Sequence, residues 1–188
     1  MGQAKRKLAA VPKTELLKLD LGCGPHPREG FHGVDIQQYD GKVGTLFDLR
    51  KVPWPWETES VDEVHCSHFL EHLTGIERIV FMNELYRVLK FGATASIIAP
   101  NWSHERAYGD PTHQWPPISS FAALYWNAEW RKANAPHVGF NCDFDYSTGV
   151  GFDPWLHTRN DEMKQFAMVR YTNSAADIYF NLTKTKRK

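Results

Sequence analysis

The sequence predicts an α/β fold: a doubly wound, mostly parallel sheet that ends in a C-terminal antiparallel hairpin. Three observations carry that expectation. An apolar run ends in Gly-x-Gly at Leu19-Asp20-Leu21-Gly22-Cys23-Gly24, short strand-like runs alternate with an amphipathic helix, and the early runs end in aspartates. With 188 residues, 42% of them hydrophobic, the chain has material for one core, so residues 1–188 are read as a single domain.

The first element is Leu16-Leu17-Lys18-Leu19-Asp20-Leu21, a buried-strand pattern stopped by the glycine turn Gly22-Cys23-Gly24-Pro25. A second strand is expected at His32-Gly33-Val34-Asp35-Ile36. Only nine residues separate Gly24 from Val34, Pro25 and Pro27 among them, so the first crossover is predicted to be a shortened turn without its helix. A third strand is read near Val43 to Leu49, followed by Val52-Pro53-Trp54-Pro55-Trp56, whose prolines exclude regular structure. Val61 to Cys66 resumes the sheet.

The clearest helix runs from about Gly75 to Leu89, with Ile76, Ile79, Val80, Leu85, Val88 and Leu89 proposed as its apolar face. Thr74 and Glu77 form a capping-box pair, and Gly92 is placed to end the helix. Thr94 to Ala99, closed by Pro100, reads as another core strand. Residues 101–161 are rich in aromatics, proline and histidine, an insert expected to act as a lid or acceptor wall, with one helix from Ser120 to Lys132. Gln165 to Thr172 and Ile178 to Thr183, around Asn173-Ser174-Ala175-Ala176, are read as the closing hairpin.

Lys+Arg and Asp+Glu are both 22, which argues against a broad basic surface for tracking nucleic acid. The terminal runs Lys5-Arg6-Lys7 and Lys184 to Lys188 read as solvated tails. Cys23, Cys66 and Cys142 are odd in number and form no CxxC pair, so no disulfide framework is expected and a reducing, cytoplasmic setting is the default. The start of the chain has no signal-peptide core and no myristoylation hydroxyl, and no apolar run reaches the ~18 residues of a membrane span.

In a parallel sheet the carboxyl ends of the strands share one edge, and ligands bind along it. That edge would gather the bare glycine turn, Asp35 with Ile36 on the second strand, and Asp48-Leu49 on the third. A carboxylate at Asp35 can accept hydrogen bonds from both hydroxyls of a ribose. Together these residues form an adenosine-binding pattern.

At this level the sequence resembles the class I S-adenosylmethionine-dependent methyltransferases, whose sheet is Rossmann-like, and more narrowly the methyltransferase type 11 group. The resemblance runs from Lys18 to Asn101. It rests on the ordered motifs Leu-Asp-Leu-Gly-Cys-Gly, Gly33-Val34-Asp35, Phe47-Asp48-Leu49, Ser60-Val61-Asp62-Glu63-Val64, Phe69-Leu70-Glu71-His72-Leu73 and Glu84 to Ala93. It implies S-adenosyl-L-methionine as cofactor and methyl transfer as activity. Gly22, Cys23 and Gly24 would face the methionine part, and Asp20 its ammonium group. Asp35 and Ile36 would hold the ribose side, Asp48 and Leu49 the adenine edge, and Ser67 and His68 the pocket floor. Cys66-Ser67-His68-Phe69 departs from the Asn/Asp-Pro-Pro-aromatic motif of many amino-directed methyltransferases, which argues against a nucleobase amine as acceptor.

For the acceptor side, His72, His104 and His113 are the candidate catalytic residues, since a neutral imidazole suits proton abstraction near neutral pH. The competing explanation is that histidines and aromatics pack a long loop, and that Glu71 and His72 order the turn or the following helix. A metal set of His104, His113, His137 and Cys142 matches no standard spacing, so no metal is expected. A small molecule, nucleotide or saccharide is the favoured acceptor, with aromatic residues of the insert available to stack on it. Two other functions remain in view: a catalytically silent module of the same fold, and a nicotinamide-dependent oxidoreductase. The latter lacks its third glycine, because Pro27 stands at that position.

Overall fold

The computed structural model describes residues 16–185. Lys5-Arg6-Lys7 and residues 186–188 lie outside them. The strands are β1 (Lys18–Leu21), β2 (His32–Asp35), β3 (Thr45–Leu46), β4 (Val61–Ser67), β5 (Leu89–Pro100), β6 (Phe144–Phe152) and β7 (Ala175–Lys184). They form one seven-stranded sheet in the order β3-β2-β1-β4-β5-β7-β6. β1 to β5 pair in parallel, while β7 runs antiparallel to both β5 and β6. The mostly parallel sheet with an antiparallel edge is therefore present.

The hairpin is built from other residues than the pattern suggested. Gln165 to Thr172 is no strand: Asp161–Arg170 is a helix, and β6 pairs with β7 from the far side of it. Asn160 accepts the Met163 N–H at 2.9 Å, and Asp161 and Glu162 occupy the first turn, so capping and helix dipole decide the matter against local β-propensity. β6 comes from inside the aromatic-rich stretch. Its mostly exposed burial pattern explains why it reads as loop.

The helices are α1 (Gly75–Val88), α2 (Arg106–Gly109), α3 (Ala122–Trp126), α4 (Ala128–Asn134) and α5 (Asp161–Arg170). α1 carries the Thr74/Glu77 capping box and buries Phe81, Met82, Leu85 and Val88. Ile76 is 76% exposed, so the apolar stripe lies further along the helix than the spacing implied. Gly92 does not end α1. The chain passes directly into β5 at Leu89, and Gly92, at φ +77°, sits where pairing with β4 jumps from Val61/Leu89 to Glu63/Thr94. The expected helix from Ser120 to Lys132 is broken at Asn127, whose extended backbone and side-chain bond to Trp130 N–H begin α4.

Residues 22–60 contain no helix, so the links β1–β2, β2–β3 and β3–β4 are all made by loops. The last of these is fastened to α1. Glu84 accepts the Trp54 N–H at 2.7 Å and grips Arg87 at 2.8 and 2.7 Å, while Arg87 donates to the carbonyls of Trp56 and Trp54. The buried indole of Trp54 donates to the Leu49 carbonyl at 3.1 Å, which sets the chain just after β3. At the other end of the sheet Lys184 is no frayed tail. It is buried, its Nζ donates to the Leu89 carbonyl at 2.8 Å, and it lies over the rings of Tyr86 and Phe91. No helix among the described residues is long and apolar enough to cross a membrane.

Burial pulls the Glu84 carboxyl up, but the bonds from Arg87 and Trp54 outweigh it and hold the group below the usual glutamate range. A depressed folded-state value stabilises above that range, and the contribution is lost as pH falls through it. Glu84→Gln should therefore be less stable than the parent by about 1–2 kcal/mol at neutral pH. Urea denaturation at a series of pH values should show that gap closing in acid; a gap that stays constant would refute the assignment.

Candidate active site

The chain turns after β1 through two left-handed glycines, Gly22 at φ +69° and Gly24 at φ +55°. A Cβ on Gly22 would stand 2.5 Å from Cδ2 of Phe69, so the backbone needs glycine there on two counts. β2 fastens the turn. Gly22 and Cys23 donate their N–H groups to the Val34 carbonyl at 2.8 and 3.2 Å, and Gly24 donates to Asp35 Oδ2 at 2.9 Å. Asp35 Oδ1 accepts the Gln37 N–H at 3.1 Å. A carboxylate offers about four lone-pair directions, which leaves Asp35 with capacity for further donors.

A cavity of about 200 Å³ opens beside this turn. Gly22, Asp35, Ile36, Asp48 and Leu49 line it, with Phe69 and His72 on the other side. Arg50 grips both oxygens of Asp48, at 2.8 and 3.1 Å, and these bonds hold the carboxyl below its usual range. Phe47, which shares its motif with Asp48 and Leu49, lines the cavity too, as do Arg50 and Leu73, which the sequence had not marked as cofactor contacts.

The other expected cofactor residues do not line this cavity. Asp20 is 3% exposed and is not in the cavity wall; its Oδ2 accepts the Arg28 N–H at 2.7 Å, so it ties down the loop that replaces the first helix. Burial pushes its carboxyl up, against the lowering influence of the Arg28 N–H and of the nearby His65 and Arg28 side chains. Cys23, Gly24 and Ser67 are also absent from the wall, and His68 lines a different space. Burial, followed by the charges of Asp20 and Asp35, pushes the Cys23 thiol up to about 11.

That second space is a more open cavity of about 720 Å³. His68, Glu71, His72, Arg106, Asp110 and His113 are among its walls, and His72 lines both cavities. The short 3-10 turn Leu70–His72 presents Glu71 and His72, and the loop after α2 brings His113 against them, with ring centroids of the two histidines 4.9 Å apart. Their Nδ1 atoms are occupied. Thr112 Oγ1 donates to Asp110 at 2.6 Å and lies 2.9 Å from His72 Nδ1, so it accepts from that nitrogen; His113 Nδ1 faces the Ala107 carbonyl at 3.3 Å. A carbonyl only accepts, so the network assigns the proton to Nδ1 in both rings and the lone pair to Nε2.

Arg78 holds this junction together. Its guanidinium donates to the carbonyls of Leu70, Pro116 and Gln114 at 3.1, 2.5 and 3.0 Å, and Gln114 N–H donates to the Glu71 carbonyl at 2.8 Å. Burial lowers the Arg78 value, with the Glu71 charge opposing. Its importance is invisible in sequence, where it is one basic residue on a helix. Glu71 also has a larger part than ordering a turn. It is buried, with Oε1 3.3 Å from His68 Nδ1 and Oε2 without a hydrogen-bond partner. The bond to Glu71 is the main reason that His68 is raised above the usual histidine range.

His104 does not line the larger cavity. It is buried outside the cavity wall, its Nδ1 accepts the Arg106 N–H at 3.1 Å, and its Nε2 lies 3.7 Å from Asp153. Trp102, Tyr108 and Trp115 are exposed and none lines the larger cavity, whose walls carry imidazole, carboxylate and guanidinium groups instead. The four residues His104, His113, His137 and Cys142 form no common group among the described residues. Cys23 and Cys66 are free thiols.

No family model matches the sequence, nor does any curated protein sequence. Solved structures match the fold. A SAM dependent methyltransferase from Archaeoglobus fulgidus gives a TM-score of 0.64 at 18% identity, over 92% of this chain and 87% of that one. Phosphoethanolamine N-methyltransferase 2 from Haemonchus contortus, solved in complex with S-adenosyl-L-methionine, gives 0.51 at 16% identity. That match covers 94% of this chain and 50% of the other, so this chain spans half of that protein. The fold is that of the class I S-adenosylmethionine-dependent methyltransferases.

Two outcomes check this geometry. Cys23 should react slowly with iodoacetamide at about pH 8 and accelerate steeply towards pH 11, because only the thiolate attacks; rapid labelling near neutrality, read by peptide mass spectrometry, would contradict its surroundings. Arg78→Ala strands several carbonyls and should cost roughly 3 kcal/mol in chemical denaturation.

Proposed function

We propose that the chain is a methyltransferase that takes S-adenosyl-L-methionine in the smaller cavity and a polar acceptor in the larger one. The observation that carries the reading is that the two cavities share the wall at His72, and that the smaller is built from the carboxyl ends of β1, β2 and β3. The residues present fit an adenosine. Asp35 keeps lone pairs for ribose hydroxyls, Ile36 and Leu49 offer apolar contact to a base, and Gly22 leaves the backbone bare.

Held by Gly22, Asp35, Ile36, Asp48 and Leu49, the cofactor would supply an electrophilic sulfonium methyl group for transfer to an acceptor lone pair. What this chain contributes is placement. Asp35 and the glycine turn fix the ribose and the methionine arm, and His72 marks where the two cavities meet. The nitrogens of His72 and His113 that keep a lone pair belong to the acceptor side. Charged and imidazole groups around that cavity favour a polar small molecule, a nucleotide or a saccharide over an apolar one.

The nicotinamide reading is weaker, since the turn after β1 leads into no helix on which a pyrophosphate would sit. A thermal-shift experiment separates the readings. S-adenosylmethionine and S-adenosylhomocysteine should raise the melting temperature, a ligand at a hundredfold its Kd contributing about 2.7 kcal/mol, and NAD should not. Asp35→Ala should abolish the shift. A protein that ignores both sulfur ligands would be a silent member of the fold, and stabilisation by NAD alone would reverse the assignment.

A further inference from the structure

We propose that Glu71, His72 and His113 form a binding site for one divalent transition-metal cation at the floor of the larger cavity. Three independent features meet here. Donor atoms of the three side chains lie within 4.8 Å of one another. Ligands about 2.1 Å from one ion stand roughly 3.0–3.4 Å apart, so a small side-chain adjustment brings the set together. The composition, two imidazoles and one carboxylate, suits first-row divalent ions and leaves coordination positions for water or other oxygen donors.

The second feature is the state of the histidines. His72 Nδ1 is held by Thr112, itself bonded to Asp110, and His113 Nδ1 is held by the Ala107 carbonyl. Each ring is thereby oriented by a hydrogen bond on one nitrogen and keeps a lone pair on the other, the arrangement that metal-ligating histidines use. Packing alone does not require both rings to share that state.

The third is Glu71. Its side chain is 6% exposed, His68 takes Oε1, and Oε2 is buried with no hydrogen-bond partner. An unsatisfied buried carboxylate oxygen costs about 1–3 kcal/mol or more, and a cation removes that cost. Asp110 adds a second negative charge, with Oδ2 4.0 Å from His113 Nε2. Arg78 reaches the backbone carbonyl of Glu71 at 3.5 Å, and so braces the turn without using up its carboxylate.

This site does not depend on the methyltransferase reading, and its test leaves the cofactor out. The full chain, stripped with a chelator, is titrated with Mn²⁺, Co²⁺ and Zn²⁺ by calorimetry and by thermal shift. One equivalent per chain is expected, with a higher melting temperature. Glu71→Gln and His113→Ala should weaken binding at least about tenfold, whereas His137→Ala, at an exposed histidine outside the group, should not. Should the two variants fail to fold, the parent protein still decides: one equivalent of Zn²⁺ should shield His72 and His113, but not His137, from diethylpyrocarbonate as read by peptide mass spectrometry. Failure of all three ions to bind, undiminished binding in both folded variants, or no shielding of His72 and His113 would overturn the site.

Discussion

The bond from the Gly24 N–H to the Asp35 carboxylate is the constraint on which the rest of the cofactor side depends. In a fully helical version of this architecture, the helix after β1 would fix the glycine turn and lend it a positive end. Here ten residues link the strands with no helix, so the turn needs another anchor. Asp35 supplies it from β2, and Asp20 does the same for the loop beyond by accepting the Arg28 N–H. One carboxylate thus shapes the turn while keeping lone pairs for a ligand, and the other is spent on structure.

How far the sequence discloses this depends on whether a feature is local. Leu19 to Gly24, the Thr74/Glu77 box and the apolar core of β5 are short-range patterns, and the chain follows them. The shortened first link is legible too, because nine residues with two prolines exclude a crossover helix. β6 is not legible, since most of its side chains face solvent and it is recruited by pairing with β7. Gln165 to Arg170 misleads for the converse reason: its β-like residues are overruled by a cap at Asn160 that lies outside the run.

The site divides in the same way. Gly22, Asp35, Ile36, Asp48 and Leu49 come together because strand ends in a parallel sheet must share an edge. His72 and His113 are far apart in the chain, and the Arg78 guanidinium, drawing carbonyls from both segments, works with the Thr112–His72 and Gln114–Glu71 bonds to bring them into contact. His104 has the residue type that chemistry favours, but it lies outside the cavity wall with Nδ1 taken by the Arg106 N–H. Residue type nominates a candidate; hydrogen-bond accounting decides which lone pair remains free.

The absence of helices from residues 22–60 has a wider consequence. The links in that half of the sheet supply no helical layer of their own, so their opening is cheaper than global unfolding, and deuterium should enter there first. A ligand lodged among those strand ends would act as the missing layer, knitting the loops into a single cooperative unit.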